Sequence, residues 1–547
     1  MRFSCPQCGT VYEADNDWIG RKVACEVCTH KFYIEEQTPE EAGFPKTDNQ
    51  PSVWITCPHC WQKFDVKDVK YISRHLDLIG DPVAGGDAQQ RFIPTHYSAR
   101  GMAIDAMGME CFEIACPHCH LKIPEQVTCR PSSIFSVVGA PASGKSYLLT
   151  TMLWQLRKML PNKFEYTLSD VDSSFNSNLN HYEELLFMNK HPDIPVSLPK
   201  TELQGSGYTN QIMMKNLAVD LPKPFIFSLS PTSGNARSQT AENRELERNI
   251  ILYDNAGEHF QPGHESVNNL ATSHLACSDG IIFVFDPLLD MRMMKYCDSS
   301  DPQFKSDAAN QLSLFFEMTS RVRLFSGLTP KDRYGQPLII AIAKFDVLKD
   351  KFDIDIEQND YIIYDSGKME YSLDIGVITD VSYRLREKML DIAPEFVSAA
   401  EGFSDTVYFV PVSSFGCSPE VMDNQMPGVS SGKQALGIVP SRIKPFWAEV
   451  PMLMQLYLHG LLRGSETCSR DALPIEQYKF TEESVIFSFP GVHKRCELPR
   501  NYWGMQIFCK ENKQYYQIPA PGDFHKDNFF KASSLEEQLD GDFWFDN

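Results

Sequence analysis

One glycine-rich segment has the residue types needed to hold a phosphate group. Residues 139–146 read GAPASGKS, which fits the spacing GxxxxGK[ST]. Glycine at the first and sixth positions lets the backbone fold tightly around an anion, with its N–H groups pointing inward. Lys145 would then contact the β- and γ-phosphates of a nucleotide, and the Ser146 hydroxyl would bind Mg²⁺. The predicted phosphate-binding residues are Gly139, Ala142, Ser143, Gly144, Lys145, Ser146 and Tyr147.

The segments on either side of this loop predict the elements that position it. Ile134 to Val138 is a short β-branched and apolar run, typical of a buried strand. Apolar residues then recur at helical spacing from Leu148 to Leu160. A helix that begins at the loop adds the positive end of its dipole to the anion site. A chance match in a glycine-rich turn, which is the alternative, would lack this strand–loop–helix context.

Eight of the 16 cysteines stand in four CxxC pairs before residue 120. In a large chain without a signal peptide pattern, such pairs indicate metal knuckles, with free thiols or a redox CxxC as the alternative. The spacing of the first two pairs is typical of a zinc ribbon, in which four thiolates close a tetrahedral site with Zn–S near ~2.3 Å. This first predicted site consists of Cys5, Cys8, Cys25 and Cys28.

The second predicted zinc site consists of Cys57, Cys60, Cys116 and Cys119. Its two halves, CPHCWQKF and CPHCHLKI, match each other, which indicates one ribbon with a long insertion over about 68–110. His59 and His118 lie within the pairs, and Cys111 could replace one of the thiolates. Both sites are predicted to be structural, because protein ligands fill all four positions.

Several apolar strands after the loop end in residues that suit a nucleotide site. The strand 249–253 is followed by Asp254, which could hold Mg²⁺ through water, and by Gly257, whose N–H could reach a γ-phosphate. The strands 280–287 and 337–342 follow, and the second of them leads into Ala343-Lys-Phe-Asp346. The strand at 407 leads into Ser413 and Ser414. Open α/β sheets bind ligands at the carboxyl ends of their strands, so these residues should lie together.

In this order, the motifs resemble those of P-loop GTPases of the translation-factor and Ras-like class. Residues 254–257 resemble the DxxG motif of the second switch, residues 343–346 the NKxD guanine motif, and residues 413–415 the SAK loop. The segment 224–231 would be the antiparallel partner of the strand before Asp254. The resemblance covers about 131–463 and implies a mostly parallel sheet with helices on both faces. It also implies GTP and Mg²⁺ as cofactors. A GTPase-like domain preceded by N-terminal zinc ribbons is a combination that we associate with bacterial proteins.

The chain departs from the family pattern beside the base. The resemblance implies that Lys344 packs along guanine and that Asp346 accepts hydrogen bonds from its N1–H and N2–H₂ groups. Ala343 stands where Asn or Thr is usual, Ser414 where Ala is usual and Phe415 where Lys is usual. Guanine preference therefore depends mainly on Asp346. The alternative interpretation of residues 343–346 is a buried strand end followed by a solvated Lys and Asp.

Catalysis is the part that the sequence defines least. Family members often place a Gln or His just after DxxG to orient the attacking water; here Glu258 and His259 follow. The γ-phosphate repels a carboxylate, so we favour His259 over Glu258, with neither acting as the alternative. The first-switch region, about 165–223, has no clear motif, and Thr209 is the candidate for its Mg²⁺-binding threonine.

Composition restricts the class of protein and its compartment. With 51 Lys and Arg against 72 Asp and Glu, the net charge is −21, which opposes bulk binding to nucleic acid. The N-terminus lacks a signal pattern and no apolar run reaches ~18 residues, so we expect a cytoplasmic protein without a membrane segment. The predicted domains are a zinc ribbon (1–36), a linker (37–52), a second ribbon with an insertion (53–130), the GTPase-like domain (131–463) and a β-rich C-terminal region (464–547).

These features predict a GTP-binding and slowly GTP-hydrolysing switch that controls a protein partner, with the zinc ribbons as its docking platform. The alternative is a non-hydrolysing, nucleotide-binding scaffold of a bacterial multi-gene system, which the altered base motifs favour. A nucleic-acid-bound NTPase is a third hypothesis. The acidic charge and the lack of basic and aromatic clusters in the ribbons count against it.

Overall fold

A computed structural model of the chain describes the following residues: 2–4, 11–13, 21–24, 31–33, 53–199, 209–214, 217–232, 235, 246–255, 270–304, 310–352, 354, 361–365, 370–422, 436–465, 473–475, 477–481, 484–490, 495–499, 506–509, 514–519 and 544–545. The chain forms two compact units. One unit comprises Met1–Trp54 and Asp65–Lys67, and the other comprises Ile55–Phe64 and Asp68–Asn547.

The smaller unit contains two short antiparallel hairpins. Arg2–Ser4 pairs with Val11–Glu13, and Lys22–Ala24 pairs with Lys31–Tyr33. Each hairpin flanks one of the first two CxxC pairs in the sequence, as the strands of a zinc ribbon would. The cysteines themselves, Cys5, Cys8, Cys25 and Cys28, lie outside the described residues, so this first zinc site stays a prediction.

The larger unit is built on a seven-stranded sheet. In chain order its strands are β1 (Ser132–Gly139), β2 (Tyr166–Asp170), β3 (Phe225–Pro231), β4 (Arg248–Asp254), β5 (Gly280–Phe285), β6 (Leu338–Ile342) and β7 (Val407–Pro411). They are arranged in the order β2-β3-β4-β1-β5-β6-β7. The run from β4 to β7 is parallel, and β3 is antiparallel to both of its neighbours. The fold is therefore mixed α/β with a mostly parallel sheet, as predicted.

The central strands show why this sheet forms. Every residue of β5 and of β6 is buried, which is the pattern of a parallel strand covered on both faces. The main helices are α1 (Lys145–Met159), α2 (Ser173–Phe187), α3 (Gln311–Ser326), α4 (Ile375–Ile392), α5 (Pro394–Phe403) and α6 (Val450–Leu458). Side chains of Asp172, Asn310 and Asp374 cap α2, α3 and α4 by accepting backbone N–H bonds in the first turn.

Shorter helical segments connect these elements. They are α-helical at Gln126–Cys129 and Lys349–Phe352, and π-helical at Leu160–Phe164. They are 3-10 helices at Val66–Asp68, Leu270–Cys277, Pro287–Leu289, Met293–Tyr296, Phe345–Val347 and Pro440–Arg442. Among the described residues, none of the helices combines the length and apolar character needed to cross a membrane.

The two faces of the sheet are covered differently at β4. Ile250 and Leu252 point into the main core. Ile251 and Tyr253, one residue out of phase, pack in a second cluster with the cysteines at 57, 60, 116 and 119. A hairpin of Thr209–Met214 and Leu217–Pro222 adds three more side chains to this cluster. The resemblance implied helices on both faces. On the face of β3 and β4 that carries this second cluster, the cover comes mainly from the hairpin and the cysteine pairs instead.

The region that lacked a predicted motif contains regular structure. It forms β2 at the edge of the sheet, then α2, then the 209–222 hairpin. Tyr166 and Leu168 are buried while Thr167 and Ser169 are exposed, the period-two pattern of a half-buried strand. Thus the strand signal was present in the sequence, although the family motif was not.

The remaining strands form small sheets. Before the central sheet they are Trp54–Thr56, Lys63–Asp65, Lys70–Ile72, Ile79–Asp81, Gly85–Gln89, Arg91–Phe92, Ala103–Ile104, Glu110–Cys111, Ile114–Ala115 and Lys122–Ile123. Within the later part of the chain they are Ile362–Asp365, Glu370–Asp374, Glu420–Val421, Leu436–Gly437, Gly464–Ser465, Leu473–Pro474, Tyr478–Phe480, Ser484–Ser488, Arg495–Pro499, Gln506–Cys509, Gln514–Gln517 and Trp544–Phe545. The last of these pairs with Arg495 and Cys496, so the aromatic C-terminus is a sheet strand.

Candidate functional site

The glycine-rich loop connects β1 to α1. The strand ends at Gly139 and the helix begins at Lys145. A Cβ atom at Gly139 would lie 2.6 Å from the carbonyl oxygen of Val284 on the neighbouring strand, so this position requires glycine. Gly144 caps the helix with a φ of 88°, a left-handed conformation that glycine adopts without strain. The geometry of the fold therefore explains why glycine stands at both positions of the motif.

The Lys145 side chain folds back over the loop. Its Nζ donates to the carbonyl oxygens of Gly139, at 3.1 Å, and Ala140, at 2.8 Å. The side chain is buried, which places a cation between the loop and the helix N-terminus. A cation and a helix N-terminus at one point attract the same anion.

Ser146 and Asp254 form the contact that suits a divalent cation. The Ser146 Oγ donates to Asp254 Oδ2 at 2.6 Å, joining the first turn of α1 to the last residue of β4. The other carboxylate oxygen of Asp254 is buried and has no hydrogen-bond partner among the described residues. Burial raises the pKa of Asp254, although the charge of Lys145 opposes the shift. A buried carboxylate oxygen beside a hydroxyl is a donor set that Mg²⁺ accepts.

Ser143, Tyr147 and Ala142, the other residues of the predicted phosphate site, differ in their surroundings. The Ser143 Oγ is buried without a hydrogen-bond partner among the described residues. The Tyr147 hydroxyl accepts the N–H of Leu198 at 2.8 Å, and its ring packs edge-on against Phe415 at 5.0 Å. Tyr147 therefore ties α1 to the loop after β7. Ala142 has a φ of 62°, so the loop is left-handed at this position too.

The lysine of the AKFD segment is held by an acid that the sequence analysis did not single out. Lys344 Nζ lies 2.6 Å from Asp286 Oδ2, and Asp286 is fully buried at the end of β5. Gln311 holds Asp286 in place, because its amide exchanges hydrogen bonds with the Asp286 backbone N–H and carbonyl, both at 2.8 Å. The available signal was an acid placed directly after a wholly apolar strand.

Asp346 is anchored to the loop after β7. Its Oδ1 accepts a hydrogen bond from Ser413 Oγ at 2.5 Å, and the same Oγ accepts the Gly416 N–H at 2.8 Å. Burial raises the pKa of Asp346, and the bond from Ser413 partly offsets this. Ser414 takes part through its backbone, since Thr151 Oγ1 donates to the Ser414 carbonyl at 3.4 Å.

The strand order brings most of the predicted nucleotide residues to one edge. β4, β1, β5, β6 and β7 are consecutive and parallel, so their carboxyl ends lie side by side. Gly257, Glu258 and His259 lie outside the described residues, and their roles stay predictions. Thr209 opens the outer hairpin opposite Pro222, and its role as a Mg²⁺ ligand also stays a prediction.

A second candidate site is the group of Cys57, Cys60, Cys116 and Cys119, called the cysteine cluster below. All four sulfur atoms lie within 4.8 Å of one another, and all four residues are buried. The Cys57–Cys119 and Cys60–Cys116 sulfur pairs are each 3.8 Å apart. Tetrahedral Zn–S bonds of ~2.3 Å require S–S separations of about 3.8 Å. The residues therefore fit a structural zinc ion.

The two halves of the cysteine cluster have the same local geometry. Trp61 and His120, which directly follow the second cysteine of each pair, have φ values of 58° and 57°. Their N–H groups donate to the carbonyls of Cys57, at 3.1 Å, and Cys116, at 3.0 Å. The internal repeat seen in the sequence is thus a repeat of one tight knuckle.

The other candidate ligands do not join the cysteine cluster. The His59 Nε2 contacts the Lys122 carbonyl at 2.9 Å, and burial lowers the pKa of His59 to about 4. The His118 ring packs against Phe64. Cys111 Sγ instead lies 3.7 Å from Asp105 Oδ2. Among the described residues, the candidate ligands for this site are therefore the four cysteines.

Comparisons with known proteins give distant relatives. No family model matches the chain. A protein of Mycolicibacterium smegmatis (strain ATCC 700084 / mc(2)155), named "Putative ESX-1 scaffolding and assembly protein SaeC", is 22% identical over 285 residues. The match covers 50% of this chain and 60% of SaeC, so it spans less than two thirds of the relative's length.

The similar solved structures are GTPase domains. The GTP-bound GTPase-like domain of S. cerevisiae Ski7 aligns at a TM-score of 0.26 and 12% identity, covering 71% of this chain and 61% of that one. The signal recognition particle receptor SRb of Chaetomium thermophilum aligns at 0.22 and 13%, covering 53% and 93%. The G domain of the T. maritima FeoB iron transporter aligns at 0.18 and 10%, covering 52% and 88%. At these scores, the interpretation of the site depends on its own geometry.

The Asp254→Asn variant tests the cation site. A carboxyl group whose pKa is raised on folding destabilises the folded state once the pH exceeds the unfolded value of about 3.9, and the effect grows until the pH passes the folded pKa. We therefore expect the nucleotide-free variant to melt at the same or a higher temperature. Mg²⁺-dependent nucleotide binding should weaken at least roughly tenfold, because a charged ligand is lost.

Asp279→Asn is the matched control for this variant. Asp279 also has a pKa raised by burial, but it accepts the Ile134 N–H at the opposite end of the sheet. Its amide variant should retain nucleotide affinity. Thermal unfolding and nucleotide titration at two Mg²⁺ concentrations provide the measurements. Unchanged Mg²⁺ dependence in Asp254→Asn would contradict the assignment of this site.

Proposed function

We propose that this chain is a GTP-binding, slowly GTP-hydrolysing molecular switch that controls a protein partner. The observation that carries the proposal is the Ser146–Asp254 bond beneath the glycine-rich loop, with a buried carboxylate oxygen left for a cation. In this proposal Lys145 and the loop N–H groups bind the phosphates, and Ser146 and Asp254 hold Mg²⁺. When bound, Mg²⁺ neutralises charge on the β- and γ-phosphates.

Guanine selection is proposed to depend on Asp346. Ser413 holds one carboxylate oxygen by a hydrogen bond, and Asp346 is partly buried in the loop. A carboxylate can accept both the N1–H and N2–H₂ donors of guanine, whereas adenine offers an acceptor at N1. The Lys344–Asp286 ion pair supports the same loop from the neighbouring strand end, where the family's Asn is replaced by Ala343.

Hydrolysis is proposed to use His259 to orient water, with Glu258 as the second candidate. Gly257 would donate its N–H to the γ-phosphate. These three residues stand three to five positions after Asp254, the last residue of β4. A neutral imidazole can accept a proton from water without repelling the phosphate.

The partner of the switch is proposed to be a protein. Large apolar side chains are exposed between the halves of the cysteine cluster, and we take them as the candidate contact surface. They are Leu76, Ile79, Ile93, Tyr97, Met107 and Phe112. This proposal places the docking surface on the insertion, because the cysteine cluster itself is packed in the core.

A non-hydrolysing scaffold is the second candidate function. Two observations favour it. The base motif lacks its usual Asn at Ala343, and the distant relative SaeC is named as a scaffolding and assembly protein. In this case nucleotide would stabilise the fold, and partner binding would not depend on the nucleotide state.

Nucleotide titration of purified protein should show that GTP binds better than ATP. An unpaired polar contact costs about 1–3 kcal/mol, which corresponds to a roughly ten- to one-hundredfold preference for GTP over ATP. Because the usual Asn is missing at position 343, we expect a preference in the lower half of this range. Lys145→Ala should abolish binding, and Asp346→Asn should reduce the preference. Lys158→Ala, in the last turn of the same helix, is the matched control and should bind like the wild type.

The outcomes of this titration separate the candidates. Equal affinity for GTP and ATP would show that Asp346 does not select guanine. Tight GTP binding without phosphate release, unchanged in His259→Ala, would favour the scaffold over the switch. Wild-type affinity in Lys145→Ala would contradict the nucleotide site altogether.

Metal analysis should find about two Zn²⁺ per chain, one for each predicted four-cysteine site. Cys25→Ser and Cys116→Ser should each remove one ion. Because the cysteine cluster packs against the sheet, Cys116→Ser should also lower the melting temperature of the larger unit. Cys111→Ser, which changes a buried cysteine outside the cluster, is the control and should retain both ions. Reduced protein without zinc would refute both sites.

A further inference from the structure

Tyr253, the residue before Asp254, is hydrogen-bonded to two neighbours of the cysteine cluster, Pro58 and Trp61. Tyr253 is buried, and its side chain points to the face of β4 opposite the main core. Its hydroxyl accepts the indole N–H of Trp61 at 2.9 Å and donates to the carbonyl of Pro58. Both partners of this one hydroxyl group are therefore knuckle residues.

The positions of Pro58 and Trp61 depend on the cysteines. Pro58 lies between Cys57 and Cys60, and Trp61 follows Cys60 directly. Trp61 has a left-handed backbone with a φ of 58°, a conformation that persists in a non-glycine residue only where its surroundings hold it. Four thiolates drawn to one ion would hold the turn in this geometry.

Asn255, the residue after Asp254, is also held in place by hydrogen bonds. The Asn255 amide donates to the Val137 carbonyl at 3.1 Å, and its oxygen lies 2.7 Å from Nε2 of His274. The His274 ring stacks on the Tyr253 ring, with centroids 4.3 Å apart and planes 12° from parallel. Asp254 thus sits between two residues that packing and hydrogen bonds hold in place.

We propose that metal in the cysteine cluster positions Asp254 through Tyr253, so that metal binding by the cluster and Mg²⁺–nucleotide binding are coupled. The inference rests on the proposed function, because it needs nucleotide to bind at the loop. Tyr253 and Trp61 are positioning residues, since neither contacts the nucleotide side of Asp254. Coupling of this kind is reciprocal: zinc strengthens nucleotide binding by the same factor as nucleotide strengthens zinc binding.

The hydroxyl of Tyr253 distinguishes this coupling from simple core packing. Phenylalanine would fill the same space and keep the stack on His274. It would leave the Trp61 N–H and the Pro58 carbonyl without their partner in the sheet, which breaks the polar connection but not the apolar one. A Tyr253→Phe variant is therefore expected to fold and to bind both zinc and nucleotide.

The test measures zinc affinity of the full chain by competition with a chromogenic chelator, with and without saturating GDP and Mg²⁺. A Cys25→Ser background leaves the cysteine cluster as the one predicted zinc site. We expect GDP and Mg²⁺ to tighten zinc binding by roughly five- to one-hundredfold. In Tyr253→Phe the factor should fall to near one. GDP affinity, titrated against Mg²⁺ concentration, should show the same loss.

Tyr334→Phe is the matched control. Tyr334 is also buried, and its hydroxyl also donates to a backbone carbonyl, that of Ser278 at 2.6 Å. This variant should retain the wild-type coupling. Equal zinc affinity with and without bound GDP in the wild type would overturn the proposal, as would full coupling in Tyr253→Phe. If the wild type binds no nucleotide at all, the proposed function fails and the coupling fails with it.

Discussion

A carboxylate buried at the end of a strand is the constraint on which this structure depends. Asp254 must be close enough to the first turn of α1 to accept the Ser146 hydroxyl, and it must keep one oxygen for a cation. Both conditions follow from β4 lying parallel and adjacent to β1, the strand that leads into the glycine-rich loop. Burial at this position raises the pKa of Asp254, because it disfavours the charged form of the carboxyl group.

The rest of the site compensates for an acidic molecule. With a net charge of −21, the protein as a whole repels a nucleotide, so binding must depend on local groups. Lys145 lies over the loop carbonyls, and the backbone N–H groups of the loop and helix add to its field. The charge of Lys344 is balanced by the Asp286 carboxylate in an ion pair. Lys344 would therefore contribute more to the shape of the base site than to its net charge.

The sequence predicted the local features of the site well and the long-range ones poorly. The loop, its flanking strand and helix, the antiparallel partner of β4 and the four cysteines were all predictable, because each depends on residue type and short spacing. The strand β2 alternates buried and exposed residues but carries no family motif. The role of Asp286 as the partner of Lys344 becomes evident only when β5 and β6 are known to be neighbours. The contact of Tyr253 with Pro58 and Trp61 joins residues almost two hundred positions apart, and no local pattern indicates it.

A crystal structure of the full chain with a non-hydrolysable GTP analogue, and with Mn²⁺ in place of Mg²⁺, would locate the nucleotide and the cation. Anomalous scattering locates Mn²⁺ independently of the protein atoms. We expect one anomalous peak at the loop, bound by the Ser146 hydroxyl, with Asp254 in contact directly or through water and the guanine at Asp346. A nucleotide bound elsewhere, or an anomalous peak without Ser146 and Asp254 beside it, would show that this loop is not the Mg²⁺–GTP site.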